Sequence, residues 1–289
     1  MKATENNFGF MEQESLIEIP FFQRAYVWEE DQWKQLFEDL QDSYTNNREH
    51  FLGSIVLKQL PTNAGEGTKR SLIDGQQRLT TFSILVKSLY DKLDEDDKQD
   101  NVKYLFKKPT KEKNPKIQHS KVDKTSFNQI LQAKDFVSLQ NIERYKEGKD
   151  KDKIKNRLIR CYEYFTKRIE EMKNYKEFLD FILNSKLWVT INLDTNEDEQ
   201  KIFDSINTAG LKLTATDIIK NALFAKAMAL KTNYEKLYKE YWEDLFEAKE
   251  NKDFGKRKLP QEGLKGCKVR FSYTLLRLSG DSLMLRKTL

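Results

Sequence analysis

The chain has 289 residues, 38% of them hydrophobic and 34% charged, with 51 Lys and Arg against 46 Asp and Glu for a formal net charge of +5. This is a charged-surface composition with enough apolar material for a core, and its positive surplus is too small to imply nucleic acid; a DNA-binding face has to come from clustering. Two distant cysteines, Cys161 and Cys267, exclude a disulfide framework or a cysteine zinc site, and the two histidines, His50 and His119, sit in no recognisable metal or triad motif. The first residues lack the basic and apolar regions of a signal peptide. No apolar run approaches the roughly 20 residues that cross a membrane, so a cytoplasmic protein is expected.

Leu16-Ile17-Glu18-Ile19-Pro20 reads as a short strand ended by proline. Phe21 to Trp28 follows, four aromatics in eight residues with Gln23 and Arg24 between them. The rings suit a core corner, and they would hold the Gln-Arg pair rigidly at a pocket mouth. Glu29 to Asn46 is a helix with Trp33, Leu36, Phe37 and Leu40 on one face and acidic residues at its positive end. Phe51 to Lys58 and Arg70 to Ile73 are β-rich runs separated by a Gly-containing loop.

Residues Asp94 to Lys124, dense in Asp, Lys, Asn and Pro, read as a connector around a short strand at Tyr104-Leu105-Phe106, with lysines that are either solvated or available to nucleic acid. Phe127, Ile130 and Leu131 mark a short helix, and Glu143 to Asp152 a charged loop. From Lys153 the spacing of Ile154, Leu158, Tyr162, Phe165, Ile169 and Met172 predicts a long amphipathic helix with Cys161 as a quiet packed thiol. A helix over Lys176 to Asn184 and a strand over Leu187 to Leu193 follow. In Ile202 to Asn221 a helix ends near Asn207, the chain turns at Gly210, and Thr214 and Asp217 have the spacing of a capping box. Asn207, Asp217, Lys220 and Asn221 give that helix a polar side, either facing a ligand or forming the outside of a capped hairpin. One more helix runs from Tyr234 past Trp242, and beyond Asn251 the text is irregular.

The stretch Leu72-Ile73-Asp74-Gly75-Gln76-Gln77-Arg78-Leu79-Thr80-Thr81 carries the most chemistry. A β-leaning run turns on a glycine into an amphipathic helix, with Leu79, Phe82, Ile84, Leu85, Leu89 and Leu93 largely at the three- and four-residue spacing of one buried face. The first N–H groups of a helix have no intrahelical partner, and the dipole favours an anion there. Arg78 suits a two-pronged contact with a phosphate. Asp74 suits a magnesium ion or an oriented water, and Gln76 or Gln77 a water or a base edge. The competing reading makes Asp74 a cap, Gly75 a turn and Arg78 a surface residue. No Walker-type Gly-x-x-x-x-Gly-Lys-Ser/Thr occurs, which excludes a P-loop.

Four motifs occur in order: Ile-Pro-Phe-Phe-Gln-Arg with Tyr-Val-Trp, Phe-Leu-Gly-Ser-Ile-Val-Leu, Asp-Gly-Gln-Gln-Arg-Leu-Thr-Thr, and Phe-Asp-Ser-Ile-Asn-Thr-Ala-Gly-Leu-Lys-Leu-Thr-Ala-Thr-Asp-Ile-Ile-Lys-Asn. As a set they resemble the N-terminal family of GmrSD-type restriction proteins over roughly residues 8 to 245. The resemblance implies an α+β fold: a ParB/sulfiredoxin-like mixed α/β domain at 1–95, a mostly helical domain at 96–250 and an irregular tail at 251–289. It implies defence against foreign or modified DNA, with nucleoside-triphosphate binding and hydrolysis at the Asp-Gly-Gln-Gln-Arg turn. Asp74, Gln77 and Arg78 are then the catalytic candidates, and Gln23, Arg24, Gly75, Gln76, Thr80 and Thr81 the nucleotide-binding ones. Asp74 holds Mg2+, and in ParB relatives a Gly-x-x-Arg turn, here Gly75 and Arg78, holds phosphates. Asn207, Asp217, Lys220 and Asn221 form a secondary polar site.

Full-length relatives often carry an HNH-type nuclease with a His-rich metal site. Both histidines here lie in the first half, so nuclease chemistry is expected from a missing domain or a separate nuclease subunit. The alternative is a non-catalytic DNA-binding or scaffold module that places lysine-rich loops on phosphates. A nuclease within the first domain is the weakest reading, because carboxylates near the turn are few.

Overall fold

The computed structural model describes residues 2–48, 50–65, 67–107, 114–147, 151–195, 197, 215–230, 232–240 and 242–243, and the chain divides into two compact units, Met1–Thr208 and Ala209–Leu289. The fold is α+β. The first unit is a six-stranded mixed sheet with helices packed on it. Its elements in chain order are β1 (Lys2–Asn6), α1 (Phe10–Gln13), β2 (Leu16–Glu18), α2 (Glu30–Asn46), β3 (Gly53–Gln59), β4 (Lys69–Asp74), α3 (Gln76–Lys92) and α4 (Glu95–Leu105). They continue with β5 (Ile117–Gln118), α5 (Lys124–Gln132), β6 (Arg144–Glu147), β7 (Lys151–Ile154), α6 (Arg157–Glu170), α7 (Tyr175–Asn184) and β8 (Trp188–Leu193).

The sheet order is β1-β8-β3-β4-β2-β5. β3 lies between β8, to which it is parallel from Gly53 opposite Trp188 to Lys58 opposite Leu193, and β4, to which it is antiparallel. The register of β3 and β4 shifts between Val56 and Leu57, so that Val56 faces Asp74 while Leu57 faces Leu72. This irregularity lies next to the Asp-Gly turn, where a bulge re-aims side chains. β2 runs parallel to both β4 and β5. The sheet that carries the turn thus takes β5 and β8 from beyond residue 95, and one core runs from Phe8 to Trp188.

α3 is the axis of that core. From Leu79 to Tyr90 every residue is buried, hydroxyls and Lys87 included. The spacing of its apolar residues points to one buried face, and the structure corrects this: the helix is covered all round, which the lack of any charge between Leu79 and Val86 permits. α3 packs against α4, α5, α6 and α7. α2 starts at a reciprocal cap in which Glu29 and Gln32 satisfy each other's backbone amides, and it packs on α6 and α7.

Three local expectations are corrected. The span Asp94 to Lys124 is not a connector around a strand at Tyr104–Phe106; its first part is α4, capped by Asp94, whose carboxylate accepts from the Asp97 amide at 3.0 Å. Three acidic residues in the first turn suit the helix dipole, and only the face with Val102 and Leu105 needs apolar residues. The charged stretch after Glu143 is an antiparallel pair, β6 on β7, with Arg144 opposite Ile154. The helix expected from Lys153 begins at Arg157, because Ile154 closes β7 and Asn156 caps α6 by accepting from the amides of Leu158 and Ile159. β1 and α1 had no counterpart in the sequence reading.

In the second unit the described elements are α8 (Ala215–Ala229) and α9 (Tyr234–Tyr238). Phe224 packs its ring against Tyr238 and Trp242 at 5.2 and 6.0 Å between centroids.

Candidate functional site

The strand β4 delivers Asp74, and Gly75 turns the chain with φ at +98°. An L side chain at that φ is strained, and a Cβ there would lie 3.1 Å from the Ser54 carbonyl oxygen and 3.3 Å from Ile55 Cα. Glycine therefore allows both the turn and its close approach to β3. No side chain caps α3. Its first backbone bond runs from the Leu79 amide to the Gly75 carbonyl at 2.9 Å, so the N–H groups of Gln76, Gln77 and Arg78 stand at the open positive end of a 17-residue helix.

Arg78 is held over this end. Its Nη2 donates to the Ser54 carbonyl at 2.7 Å and to Asp74 Oδ2 at 3.0 Å. Gly53, with φ at +119°, lets the guanidinium lie against β3; a Cβ there would be 3.0 Å from Arg78 Nε. Asp74 and Arg78 remain 23% and 25% exposed, so the pair is reachable from solvent. A glycine inside a β-rich run is the signal that marks such a close approach, and the sequence reading passed over Gly53.

The Gln-Arg loop is fastened to this turn across some 50 residues of sequence. Gln76 Nε2 donates to the Arg24 carbonyl at 2.9 Å. Gln77 Oε1 accepts from the Val27 amide at 2.8 Å, with the Trp28 amide at 3.4 Å. The chain turns at Gln23, whose amide donates to the Pro20 carbonyl at 2.9 Å, and Gln23 and Arg24 are half-buried. Gln77 is 8% exposed, and its Nε2 has no hydrogen-bond partner among the described residues. A buried donor left open is costly and invites an acceptor.

Thr80 and Thr81, expected to bind nucleotide, are both fully buried and turn into the core. Thr81 Oγ1 donates to the Gln77 carbonyl at 2.8 Å and lies 2.5 Å from the Tyr26 hydroxyl, which accepts from Trp33 Nε1 at 2.8 Å. Because the indole can only donate and the threonine proton is already committed, the Tyr26 hydroxyl donates to Thr81. Cys161 is buried 3.8 Å from the same oxygen, and burial pushes its thiol well above the ordinary range. Thr80 Oγ1 lies 3.1 Å from His119 Nε2, and the Ser120 amide donates to His119 Nδ1 at 3.1 Å. The imidazole is therefore neutral with its proton on Nε2. Burial pushes its pKa down to about 3.

Behind the loop, Asp123 Oδ2 accepts from the Tyr26 amide at 2.7 Å. Desolvation raises this carboxyl to about 6, against the opposing effects of the Tyr26 amide and Arg157. The sequence marks Tyr26 and Trp33 as core rings only and gives no sign of the roles of Ser54, Asp123 and His119. No local pattern links Asp123 to Tyr26. Among the described residues no group of three or more His, Cys, Asp or Glu gathers as a metal cluster. The donor set fits Mg2+ only in its phosphate-assisted form, in which one carboxylate and the ligand's own oxygens suffice: Asp74 brings a single carboxylate, one of whose oxygens Arg78 already engages.

Of the secondary polar site, Asn207 and the side chain of Asp217 lie outside the described residues. Lys220 and Asn221 are buried in the second unit.

A Gly-turn helix start with a braced Asp-Arg pair, set on a mixed sheet, marks this α+β module. The chain belongs to the family of the GmrSD restriction endonuclease N-terminal domain, which it matches over residues 6–224, and is thus a restriction-related defence module. A comparison with characterised proteins gives no match. Among the described residues no helix is long and apolar enough to cross a membrane.

Proposed function

We propose that the N-terminus of α3 and the Gln23–Arg24 loop form a nucleoside-triphosphate site, where binding and hydrolysis serve action on foreign or modified DNA. The observation that carries this reading is the arrangement around Gly75: open helix amides, the Gln77 carboxamide donor without a partner, and an arginine fixed by Ser54 and Asp74 on the same edge. Amides and guanidinium take the phosphate oxygens, the helix dipole adds to their attraction, and Gln76 keeps the Gln23–Arg24 loop in register. Asp74 would hold Mg2+, which supplies charge neutralisation of the phosphates when bound. The Gln77 oxygen is committed to the Val27 and Trp28 amides, so its part is to offer Nε2 to the ligand rather than to act as a base. Thr80 and Thr81 support the helix start from inside. DNA is the partner that the family membership suggests, and a separate nuclease subunit would supply cleavage.

A second reading rests on a specific observation too. Asp74, Gln76, Gln77, Arg78, Thr80 and Thr81 all have internal partners, so the motif also works as a staple of the fold, leaving a scaffold that only binds DNA. Titration of the purified chain with ATP, GTP, CTP and UTP, with and without magnesium, separates the two. Magnesium-dependent binding and phosphate release support the nucleotide site; no binding of any of the four leaves the scaffold.

A further inference from the structure

The loop from Arg24 to Trp28 is fastened at its backbone by three side chains from outside it. Gln76 and Gln77 come from the motif itself; the third, Asp123, comes from a turn nearly 50 residues further on. Asp123 stands at the N-cap position of α5, where a carboxylate normally accepts from its own helix, yet its side chain makes no capping bond. It turns to the loop, and its Oδ2 accepts the Tyr26 amide at 2.7 Å with 6% of the residue exposed. Facing it are neutral His119, whose Nδ1 is 3.7 Å away, the Tyr26 amide from the loop, and Arg157 of α6 as the favourable charge. A neutral acceptor would make the same bond without desolvating a charge. A carboxylate kept at such a position is a mark of function more than of stability.

We propose that Asp123 is a positioning residue: through the Tyr26 amide it holds the Gln23–Arg24 loop against the N-terminus of α3 and so sets how tightly the site takes its ligand. The ligand's identity rests on the nucleotide reading above; the latch does not. The latch also senses protons. Burial raises this carboxyl to about 6, while the Tyr26 amide opposes that rise by favouring the charged form. The bond that holds the loop is therefore stronger to the carboxylate, and the loop is held less firmly as pH falls through 6.

The test uses the full chain and two readouts. Amide hydrogen exchange without nucleotide compares the parent with D123A and D123N. In D123A the Tyr26, Val27 and Trp28 amides exchange about tenfold faster while those of α6 and β8 keep the parent's protection; D123N retains most of the protection because its amide oxygen still accepts. In the second readout, ATP, GTP, CTP and UTP are each titrated with magnesium. D123A weakens the binding about tenfold, and the D123N-to-parent ratio of dissociation constants changes as pH crosses 6, because only the parent titrates there. If D123A does not fold, D123N carries both readouts: loop exchange, corrected for its intrinsic pH dependence, quickens on acidification through pH 6 in the parent and not in the variant. Unchanged loop exchange overturns the latch. Faster loop exchange with parent-like affinity for a nucleotide that the parent binds reduces Asp123 to a structural residue and also overturns the proposal. A parent that binds none of the four refutes the nucleotide reading instead, and the latch then stands or falls on exchange alone.

Discussion

Replacing Arg78 by alanine removes a guanidinium that holds two oxygens at once, Ser54 O at 2.7 Å and Asp74 Oδ2 at 3.0 Å. A hydrogen bond from a charged donor contributes about 1.5–3 kcal/mol. The ion pair, roughly a quarter exposed on each side, adds less than about 1 kcal/mol after screening. Water reaches the freed oxygens, so the cost of R78A sits near the lower end, about 2 kcal/mol. For a unit of this size that is a fall in Tm of about 4–8 °C. A domain of ordinary stability remains almost wholly folded after such a loss. Hydrolysis should suffer far more, by about a hundredfold to a thousandfold, because the arginine would meet charge that develops in the transition state. R78K keeps the charge and loses the fork, and is expected to fall between the two. Circular-dichroism melts paired with phosphate release from each nucleotide measure both effects. A variant that melts as expected and hydrolyses at the parent's rate refutes the catalytic assignment; one that does not fold makes Arg78 a structural residue.

The remaining expectations concern the turn, the buried titrating groups and the lysines. Gly75→Val forces a β-branched residue to φ +98° with its Cβ 3.1 Å from Ser54 O, and should cost about 2 kcal/mol or more and lower activity with it; an unchanged melt would falsify the strain argument. His119 contributes stability that is full above its unfolded pKa near 6.5 and is lost as pH falls towards its folded value of about 3, whereas Asp123, raised to about 6, gains as pH falls below that value. Relative to the parent, H119Q should therefore gain Tm between pH 7 and 5 and D123N should lose it, and parallel curves for all three proteins would remove both assignments. DNA binding through backbone contacts, at lysines such as Lys107, Lys121 and Lys124, should weaken steeply with salt in a log–log plot. Lys116 takes no part, since its ammonium is buried and donates to the Met11 and Glu12 carbonyls at 2.6 and 3.0 Å; K116A should lower the melt and leave the salt slope alone, and tight salt-insensitive binding would point to another mode.

What the sequence disclosed was whatever has a local cause. The turn at Gly75, the strand before it, the start of the helix after it and the amphipathic α2, α6 and α7 follow from spacing and turn chemistry, although α6 starts later than its apolar period suggests. α4 was hidden because a helix lying on a surface needs few apolar residues, and its acidic first turn looks like a solvated run. β1 is polar along its length and becomes a strand only because β8 offers it an edge. In the site, the Asp-Gly-Gln-Gln-Arg chemistry was visible, but which way each group points was not. Thr80 and Thr81 look like ligand hydroxyls in a linear reading and face the core because α3 is enclosed on every side. Asp123 and His119 meet the motif only through the packing of α5 beside α3, and nothing in their neighbours in sequence announces it.

The place of β8 has a consequence for how the protein is made. The carbonyl of Ser54, which aims Arg78, sits on a strand whose second neighbour is residues 188–193, and that same late strand pairs with β1. At about 5–20 residues per second, on the order of ten seconds pass between the emergence of Arg78 and that of Leu193. During that interval the nascent chain holds β3, β4 and the helix start but not the strand that flanks β3 on its other side. The sheet that carries the Asp-Gly turn is therefore completed only late in synthesis, when β8 joins β3 on one side and β1 on the other.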